Sequence, residues 1–176
     1  GLRINSSKDD AAGMAVTETL NSRIRGNDIA MRNANDAISM TQTAEGATTQ
    51  VVNNFQRIRE IAVQSTNSSI QDTDRSKMQM EVEQLANEIT RVVQTTEYNG
   101  TTLLSGSNVT TFQIGSSAST SNQITFTNAN LTSLTAASAG SVTANAAYNV
   151  GNSANASAAI AALDGLISSA VTQRAT

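Results

Sequence analysis

Four residue types are missing from this chain of 176 residues: cysteine, histidine, proline and tryptophan. Without cysteine there is no disulfide, no zinc–thiolate site and no thiol nucleophile. An enzyme without histidine or cysteine would have to rely on carboxylates, lysine or tyrosine. The acidic pairs Asp9/Asp10 and Glu81/Glu83 lie at predicted helix ends or on predicted helix surfaces, where such pairs usually serve capping or solvation. We therefore predict no enzymatic activity, no catalytic residue, no metal site and no cofactor.

Aromatic residues make up only 3% of the chain and charged residues 14%. A core must then be built from small and aliphatic side chains, which suits thin, interdigitated helices better than a bulky globule. The net charge of −3 and the absence of any Lys/Arg run argue against nucleic acid as a partner. No apolar run approaches the roughly 20 residues of a membrane helix, so we expect no membrane partner either.

The chain begins with glycine rather than methionine, and no signal peptide is visible. We therefore expect it to be a piece of a longer protein.

What the sequence does contain is helical periodicity, first of all between about Asp10 and Gln64. In the second half of this stretch a seam alternates steps of four and three residues: Ala44, Thr48, Val51, Phe55, Ile58, Ala62 and Ser65. The mean step of about 3.5 is typical of a helix that winds against a partner helix. A looser upstream stripe is formed by Leu20, Ile24, Met31, Ala34 and Ile38, with Asn27 and Thr41 as polar interruptions. One helix over the whole stretch would be roughly 80 Å long, which is typical of a bundle or a fibre.

Residues 73–97 supply a partner for this seam. Their own apolar stripe consists of Met78, Val82, Leu85, Ile89 and Val92. Asp72, Thr73 or Asp74 can cap the helix start, and the polar cluster at 65–74 predicts a linker. A linker of about ten residues folds the second helix back antiparallel on the first.

After the second helix the period changes from 3.5 to 2. Tyr98-Asn99-Gly100 predicts a turn, because Asn-Gly tolerates positive φ. Short β-favouring runs at 101–104, 110–114 and 123–127 predict a small antiparallel sheet or a pair of hairpins. Residues 128–158 are dominated by Ala, Ser, Thr, Asn and Gly, so we expect a loop-like stretch that buries little.

A last helix is predicted over 158–176, with one face formed by Ile160, Leu163, Ile167, Ala170 or Val171, and Arg174. The whole pattern predicts a mainly α fold. It is an elongated antiparallel helical bundle of two long N-terminal helices and a C-terminal helix, with a small β-hairpin appendage.

Several long runs then point to a family. GLRINSSKDDAAGMAV, RNANDAISMTQTAEGA and FQRIREIAVQS resemble the N-terminal core of bacterial flagellin. NEITRVVQTTEYNGTTLLSG is similar to the family's second helix and the turn after it, and LDGLISSAVTQRAT is similar to the start of its C-terminal core helix. The resemblance implies three segments: the N-terminal part of the rod domain at 1–106, a short variable Ser/Thr/Ala-rich region at 107–157, and the start of the C-terminal rod helix at 158–176. It also implies that the family's terminal helices are missing at both ends, so we expect these residues alone to be monomeric.

The resemblance implies a function and a set of partners. The expected role is that of a structural subunit that polymerises with other flagellin subunits into the helical filament used for swimming. The expected location is extracellular, on the flagellum, after export through the flagellar type III secretion apparatus. The export chaperone and the cap and junction proteins of the flagellum are expected as further partners.

One surface is singled out by the same resemblance as a recognition site for vertebrate Toll-like receptor 5. It consists of Gln56, Arg57, Arg59, Glu60, Ile61, Gln64 and Glu81. Arg57 and Ile61 are four residues apart and so lie on one helix face, and arginine is frequent among interface hot spots. From the residues alone, subunit contacts or simple solvation explain the same charges equally well. Ile61 and Leu85 depart from what some relatives carry at these positions.

Two other structural roles remain open. One is the hook–filament junction protein, which resembles flagellin at both ends. The other is a surface adhesin or glycan-binding module on a helical stalk, which predicts an aromatic pocket within 107–157. The only aromatic residues there are Phe112, Phe126 and Tyr148.

Overall fold

The computed structural model describes residues 11–135 and 145–174. The chain divides into two compact units, one formed by residues 1–40 with 109–126 and the other by residues 41–108 with 127–176. The predictions for residues 1–10, including the Asp9/Asp10 pair, lie outside the described residues. The elements in chain order are α1 (Ala11–Ser65), α2 (Asp72–Thr95), β1 (Glu97–Tyr98), β2 (Thr101–Thr102), β3 (Val109–Gln113), β4 (Gln123–Thr127) and α3 (Ser153–Arg174).

The core of the second unit follows the predicted seams. All seven residues of the α1 seam are buried, and Val51, Phe55, Ile58, Ala62 and Ser65 are completely so. In α2, Val82, Ile89 and Val92 are buried as predicted, whereas Met78 and Leu85 are only half-buried. The residues beside them, Gln79, Ala86 and Val93, complete the buried face of α2.

Cross-helix pairs show the helix directions in this unit. Gln50 of α1 bonds Glu88 of α2, and Arg57 further along α1 bonds the earlier Glu81, so α1 and α2 are antiparallel. Arg59 of α1 pairs with Asp164 of α3, while the later Ser65 bonds the carbonyl oxygen of the earlier Val150. α3 therefore also runs antiparallel to α1. The predicted mainly α antiparallel bundle is confirmed.

The expectation that residues 128–158 bury little is wrong. Leu131, Leu134, Tyr148 and Val150 are all buried, three of them completely. Among the described residues of this stretch, these four large side chains lie in the core. In addition, α3 begins at Ser153, five residues before the predicted start.

The buried face of α3 is built mostly from alanine. Ala156, Ala159, Leu163 and Ala170 are buried, while Ile160 and Ile167 are half-buried and Val171 is 45% exposed. The side chain of Arg174 lies outside the described residues.

α3 is long enough to cross a membrane, and its mean hydropathy of 1.3 over Ser153–Thr172 makes it apolar enough as well. This corrects the expectation that no apolar run has that length. The value reflects the Ala, Ile, Leu and Val residues of α3, and helices packed inside proteins meet the same measure.

In the first unit the predicted stripe on α1 is wrong. Leu20, Ile24, Met31 and Ile38 are each more than half exposed, and Ala34 is half-buried. The face that packs instead is Gly26, Ala30, Asn33, Ala37 and Met40, also spaced by four and three. Asn33 Nδ2 donates to the Gln113 carbonyl oxygen at 2.9 Å, and a Cβ on Gly26 would lie 2.9 Å from that of Ser116. The close approach of the β3–β4 segment therefore requires small residues on this helix face.

In the described part of the chain, the β-strands form two two-stranded sheets, β1–β2 and β3–β4. β1 and β2 are antiparallel, with Tyr98 opposite Thr101, so Asn99 and Gly100 form a two-residue turn. Their φ angles are +49° and +76°. Two positive φ angles in a two-residue loop define a type I′ turn, which confirms the turn predicted from Asn-Gly.

Candidate functional site

The predicted receptor surface contains one compact charged cluster, which we call the Arg57 cluster: Arg57, Glu60 and Glu81. Arg57 donates to Glu81 Oε1 from Nε at 3.0 Å and from Nη2 at 2.8 Å. Its third donor, Nη1, reaches Glu60 Oε2 at 3.0 Å. The three side chains are 47–67% exposed, so the cluster lies on the surface and joins α1 to α2.

The hydrogen bonds of the Arg57 cluster affect the pKa of its arginine. The hydrogen bond to Glu81, and after it the bond to Glu60, raises the pKa of Arg57 above its ordinary value. The site therefore offers a guanidinium held between two carboxylates, and both carboxylates keep free lone pairs toward solvent. Such a surface suits a polar partner that supplies hydrogen-bond donors and charged groups of its own.

The remaining members of the predicted surface do not join this cluster. Arg59 Nε donates to Asp164 Oδ1 of α3 at 2.6 Å, and this bond raises the pKa of Arg59. Ile61 is only 2% exposed and lies in the core. Gln56 and Gln64 are exposed. The structure thus brings Arg57, Glu60 and Glu81 together, and it places Ile61 where it offers no surface to a partner.

A second polar cluster lies further along the same pair of helices. Arg91 donates to both carboxylate oxygens of Glu88, at 2.7 and 2.6 Å, and Gln50 of α1 reaches Glu88 Oε1 at 3.1 Å. The hydrogen bond from Arg91 is the main reason that the pKa of Glu88 is lowered. The sequence indicates only a solvated face here.

A buried arginine connects the end of α1 to the start of α2, and no pattern in the sequence indicates it. Arg75 is 7% exposed. Its Nε donates to the Ser65 carbonyl oxygen at 3.0 Å, Nη2 to the Asn67 carbonyl oxygen at 2.9 Å, and Nη1 to Asp72 Oδ1 at 2.9 Å. The predicted cap at Asp72–Asp74 is absent: the capping position is Gln71, whose side chain makes no capping bond.

A buried glutamine holds the segment that leads into α3. Gln79 Nε2 donates to the Tyr148 carbonyl oxygen at 2.9 Å, and Gln79 Oε1 accepts from the Val150 N–H at 2.8 Å. Ser65 Oγ adds a bond of 2.7 Å to the Val150 carbonyl oxygen. In the sequence, the polar Ser65 at a position of the α1 seam is a signal of this network, whereas Gln79 lies beside the predicted α2 stripe and gives none.

Within residues 11–135 and 145–174 there is no group of three or more acidic side chains that could hold a metal ion. Of the acidic pair Glu81/Glu83, Glu81 is bound to Arg57, and Glu83 Oε1 accepts from Gln79 Nε2 at 3.4 Å. An adhesin would need an exposed aromatic pocket within 107–157. Of the three aromatic residues there, Tyr148 is completely buried and cannot line such a pocket.

The fold is an antiparallel helical bundle with polar clusters both on its surface and inside it. The family model described as "Bacterial flagellin N-terminal helical region" matches residues 1–109. The chain therefore belongs to the bacterial flagellin family.

Individual relatives agree. The chain is 47% identical over 135 residues to a B-type flagellin of Pseudomonas aeruginosa, a match that covers 76% of this chain and 28% of the relative. It is 50% identical over 115 residues to a flagellin of Salmonella rubislaw, covering 65% of this chain and 23% of the relative. This chain thus spans less than a third of these relatives.

A solved structure matches more evenly. The crystal structure of Bacillus cereus flagellin superposes with a TM-score of 0.68 at 27% identity, and the match covers 82% of this chain and 79% of that one.

Proposed function

We propose that this chain is the rod part of a structural subunit of the bacterial flagellar filament. The observation that carries the proposal is the family match over residues 1–109, which includes all of α1 and α2. In this role the protein performs no chemistry. It polymerises with identical subunits outside the cell into the helical propeller, after export through the flagellar secretion apparatus. Its further partners are the export chaperone and the cap and junction proteins of the flagellum.

The distribution of apolar side chains supports assembly. The α1 seam of the second unit is buried within the bundle, so it is not available to a neighbouring subunit. The first half of α1 instead leaves Leu20, Ile24, Met31 and Ile38 more than half exposed. Exposed apolar side chains in a row along one helix mark an interaction surface. Repeated head-to-tail contacts that do not close a ring produce a filament.

The assembly test uses electron microscopy of the full-length protein. We expect filaments from the intact wild-type protein and only monomers from residues 1–176. Ile24→Asp and Met31→Asp in the intact protein should abolish or shorten the filaments, while Val63→Asp, at an exposed apolar residue of α1 outside this row, should not. Filaments of normal length from both variants of the row would contradict the proposed surface. An intact protein that only joins or caps filaments of another flagellin would favour a junction protein.

We further propose that the Arg57 cluster is the surface recognised by Toll-like receptor 5. Three charged groups held together across two helices support this, because their arrangement needs no reorganisation when a partner binds. Arg57→Ala and Glu81→Ala should each reduce signalling in a receptor reporter assay by about tenfold or more, the order expected for an interface hot spot. Arg91→Ala, an exposed arginine in a similar pair on α2, is the matched control and should leave signalling unchanged. Wild-type signalling from all three variants would refute the receptor proposal and would leave the proposal of filament assembly unaffected.

A further inference from the structure

We propose that Asn99 is a site of spontaneous covalent modification, where the Asn99–Gly100 peptide converts through a succinimide to aspartate and isoaspartate. In this reaction the main-chain nitrogen of Gly100 attacks Cγ of Asn99, and the new bond between them closes a five-membered ring. The bond between Cγ and Nδ2 of Asn99 breaks, and the amide leaves as ammonia with the proton released by the Gly100 nitrogen. Water, the solvent, then opens the ring at either carbonyl carbon.

The surroundings of the Asn99–Gly100 peptide favour the attack. Both residues are exposed, and a Cβ placed on Gly100 would meet no atom within 4 Å, so the turn is open to solvent. The central N–H groups of a two-residue hairpin turn take no part in the strand ladder. Among the described residues, the side chain of Asn99 makes no hydrogen bond that would have to break first.

Most of the other asparagines that the structure describes are held in ways that oppose the same reaction. Of 18 asparagines in the sequence, only Asn99 precedes a glycine. Eight lie in helices, where the next N–H is held by the helix: Asn21, Asn27, Asn33, Asn35, Asn53, Asn54, Asn87 and Asn155. Among the others, the side-chain oxygens of Asn67, Asn130, Asn145 and Asn152 each accept a main-chain N–H nearby.

The turn itself has little to hold it closed. β1 and β2 contain two residues each, so opening the hairpin breaks few bonds and gives the Asn99 backbone the freedom to form the ring. Isoaspartate inserts an extra carbon atom into the backbone, and a two-residue type I′ turn has no room for it. The pairing of Tyr98 with Thr101 should then be lost, and the neighbouring bond from the Leu103 N–H to the Thr96 carbonyl oxygen, 3.0 Å long, should loosen.

The test is prolonged incubation of residues 1–176 in mildly alkaline buffer, folded and in urea, followed by peptide mapping with an isoaspartate-specific methyltransferase assay. In the folded protein we expect the peptide containing Asn99 to convert before any other, and faster as pH rises, because the attacking nitrogen must lose its proton. Asn99→Gly keeps a residue that accepts positive φ but removes the amide, so it should abolish only this conversion.

Two results would overturn the proposal: earlier conversion of other asparagines in the folded protein, or conversion of Asn99 in urea alone. The structural consequence has its own readout, hydrogen exchange at the Leu103 N–H. Exchange should rise in step with the isoaspartate fraction in wild type and stay constant in Asn99→Gly. Unchanged exchange in fully converted wild-type protein would overturn the predicted loosening.

Discussion

The ring of Tyr148 stacks on the ring of Phe55, with centroids 6.5 Å apart and planes inclined by 16°. Phe55 comes from the α1 seam, and Tyr148 comes from the short turn just before α3. Both rings are completely buried, and the Tyr148 hydroxyl donates to the Leu134 carbonyl oxygen. Burial raises the pKa of Tyr148 well above its usual range, so the hydroxyl remains a donor at any ordinary pH. This pair joins the Ala/Ser/Thr-rich segment to the helical bundle.

Two substitutions at Tyr148 should separate the ring from the hydroxyl. Tyr148→Phe keeps the stacking but leaves the Leu134 carbonyl without its donor, and should cost about 1 kcal/mol of unfolding free energy. Tyr148→Ala also removes the ring and should cost about 3–5 kcal/mol. Urea unfolding followed by circular dichroism measures both. Equal losses for the two variants would mean that the stacked ring contributes nothing.

The position of Tyr148 also shows where prediction from the sequence fails. The α1 seam is predictable residue by residue, because a mean step of 3.5 permits one buried helix face only. For residues 128–158 the prediction of low burial rested on average composition alone. Such an average does not show that the single tyrosine among many small residues is buried. Gln79 is no more accessible to prediction, because its two partners lie in a segment that is remote in sequence.

On the first half of α1 the largest apolar residues predict the wrong face. Hydrophobic periodicity predicts that Leu20 and Ile24 are buried rather than the neighbouring alanines and glycine. The face that is buried packs against the closely approaching β3–β4 segment, and that contact requires small residues. The Arg57 cluster is predicted in part: Arg57, Glu60 and Glu81 do meet, whereas the helical spacing of Arg57 and Ile61 does not reveal that Ile61 is buried. The predicted three-segment division of the protein stays a prediction.

The buried guanidinium of Arg75 should be essential for joining α1 to α2. Arg75→Met leaves the Ser65 carbonyl oxygen without its donor and removes one of the two donors to the Asn67 carbonyl oxygen, which also accepts from the Ile70 N–H. It should cost about 2–3 kcal/mol of unfolding free energy. Arg75→Lys should recover only part of this loss, because an ammonium cannot reach all three acceptors with the geometry of a guanidinium. Urea unfolding is again the measurement.

The control for Arg75 is Lys77→Met. Lys77 pairs with Asp74 at the surface, with 72% of its side chain exposed, so its removal should leave the unfolding midpoint unchanged. If Arg75→Met were as harmless as Lys77→Met, water would have to satisfy the Ser65 carbonyl oxygen as well as the guanidinium does.

Glu88 should titrate below the ordinary range of a glutamate. Because its folded pKa is lowered, the small contribution of its bonds to stability is present above the pKa of the unfolded protein and is lost as pH falls through the folded pKa. Carboxyl-carbon NMR should show an upward shift of the Glu88 midpoint in Arg91→Ala and a smaller one in Gln50→Ala, in the order of their effects. A Glu88 midpoint that stays the same in Arg91→Ala would rule out Arg91 as the cause.

Two glycines of α1 should respond oppositely to the same substitution. Gly46 is exposed and a Cβ there meets nothing within 4 Å, so Gly46→Ala should raise the unfolding free energy by about 0.5–1 kcal/mol. At Gly26 the new Cβ would lie 2.9 Å from that of Ser116, and overpacking of about 1–3 kcal/mol should exceed the gain in helix propensity.

The Ser116 contact can be tested by relieving it. Gly26→Ala should speed hydrogen exchange of the Ile114 N–H, which bonds the Asn122 carbonyl oxygen at 2.7 Å, and Gly46→Ala should not. Adding Ser116→Gly removes the opposing Cβ and should return both the exchange rate and much of the stability to Gly26→Ala. If the double variant has the same exchange rate and unfolding free energy as Gly26→Ala alone, the close approach of Ser116 is not the reason for glycine at position 26.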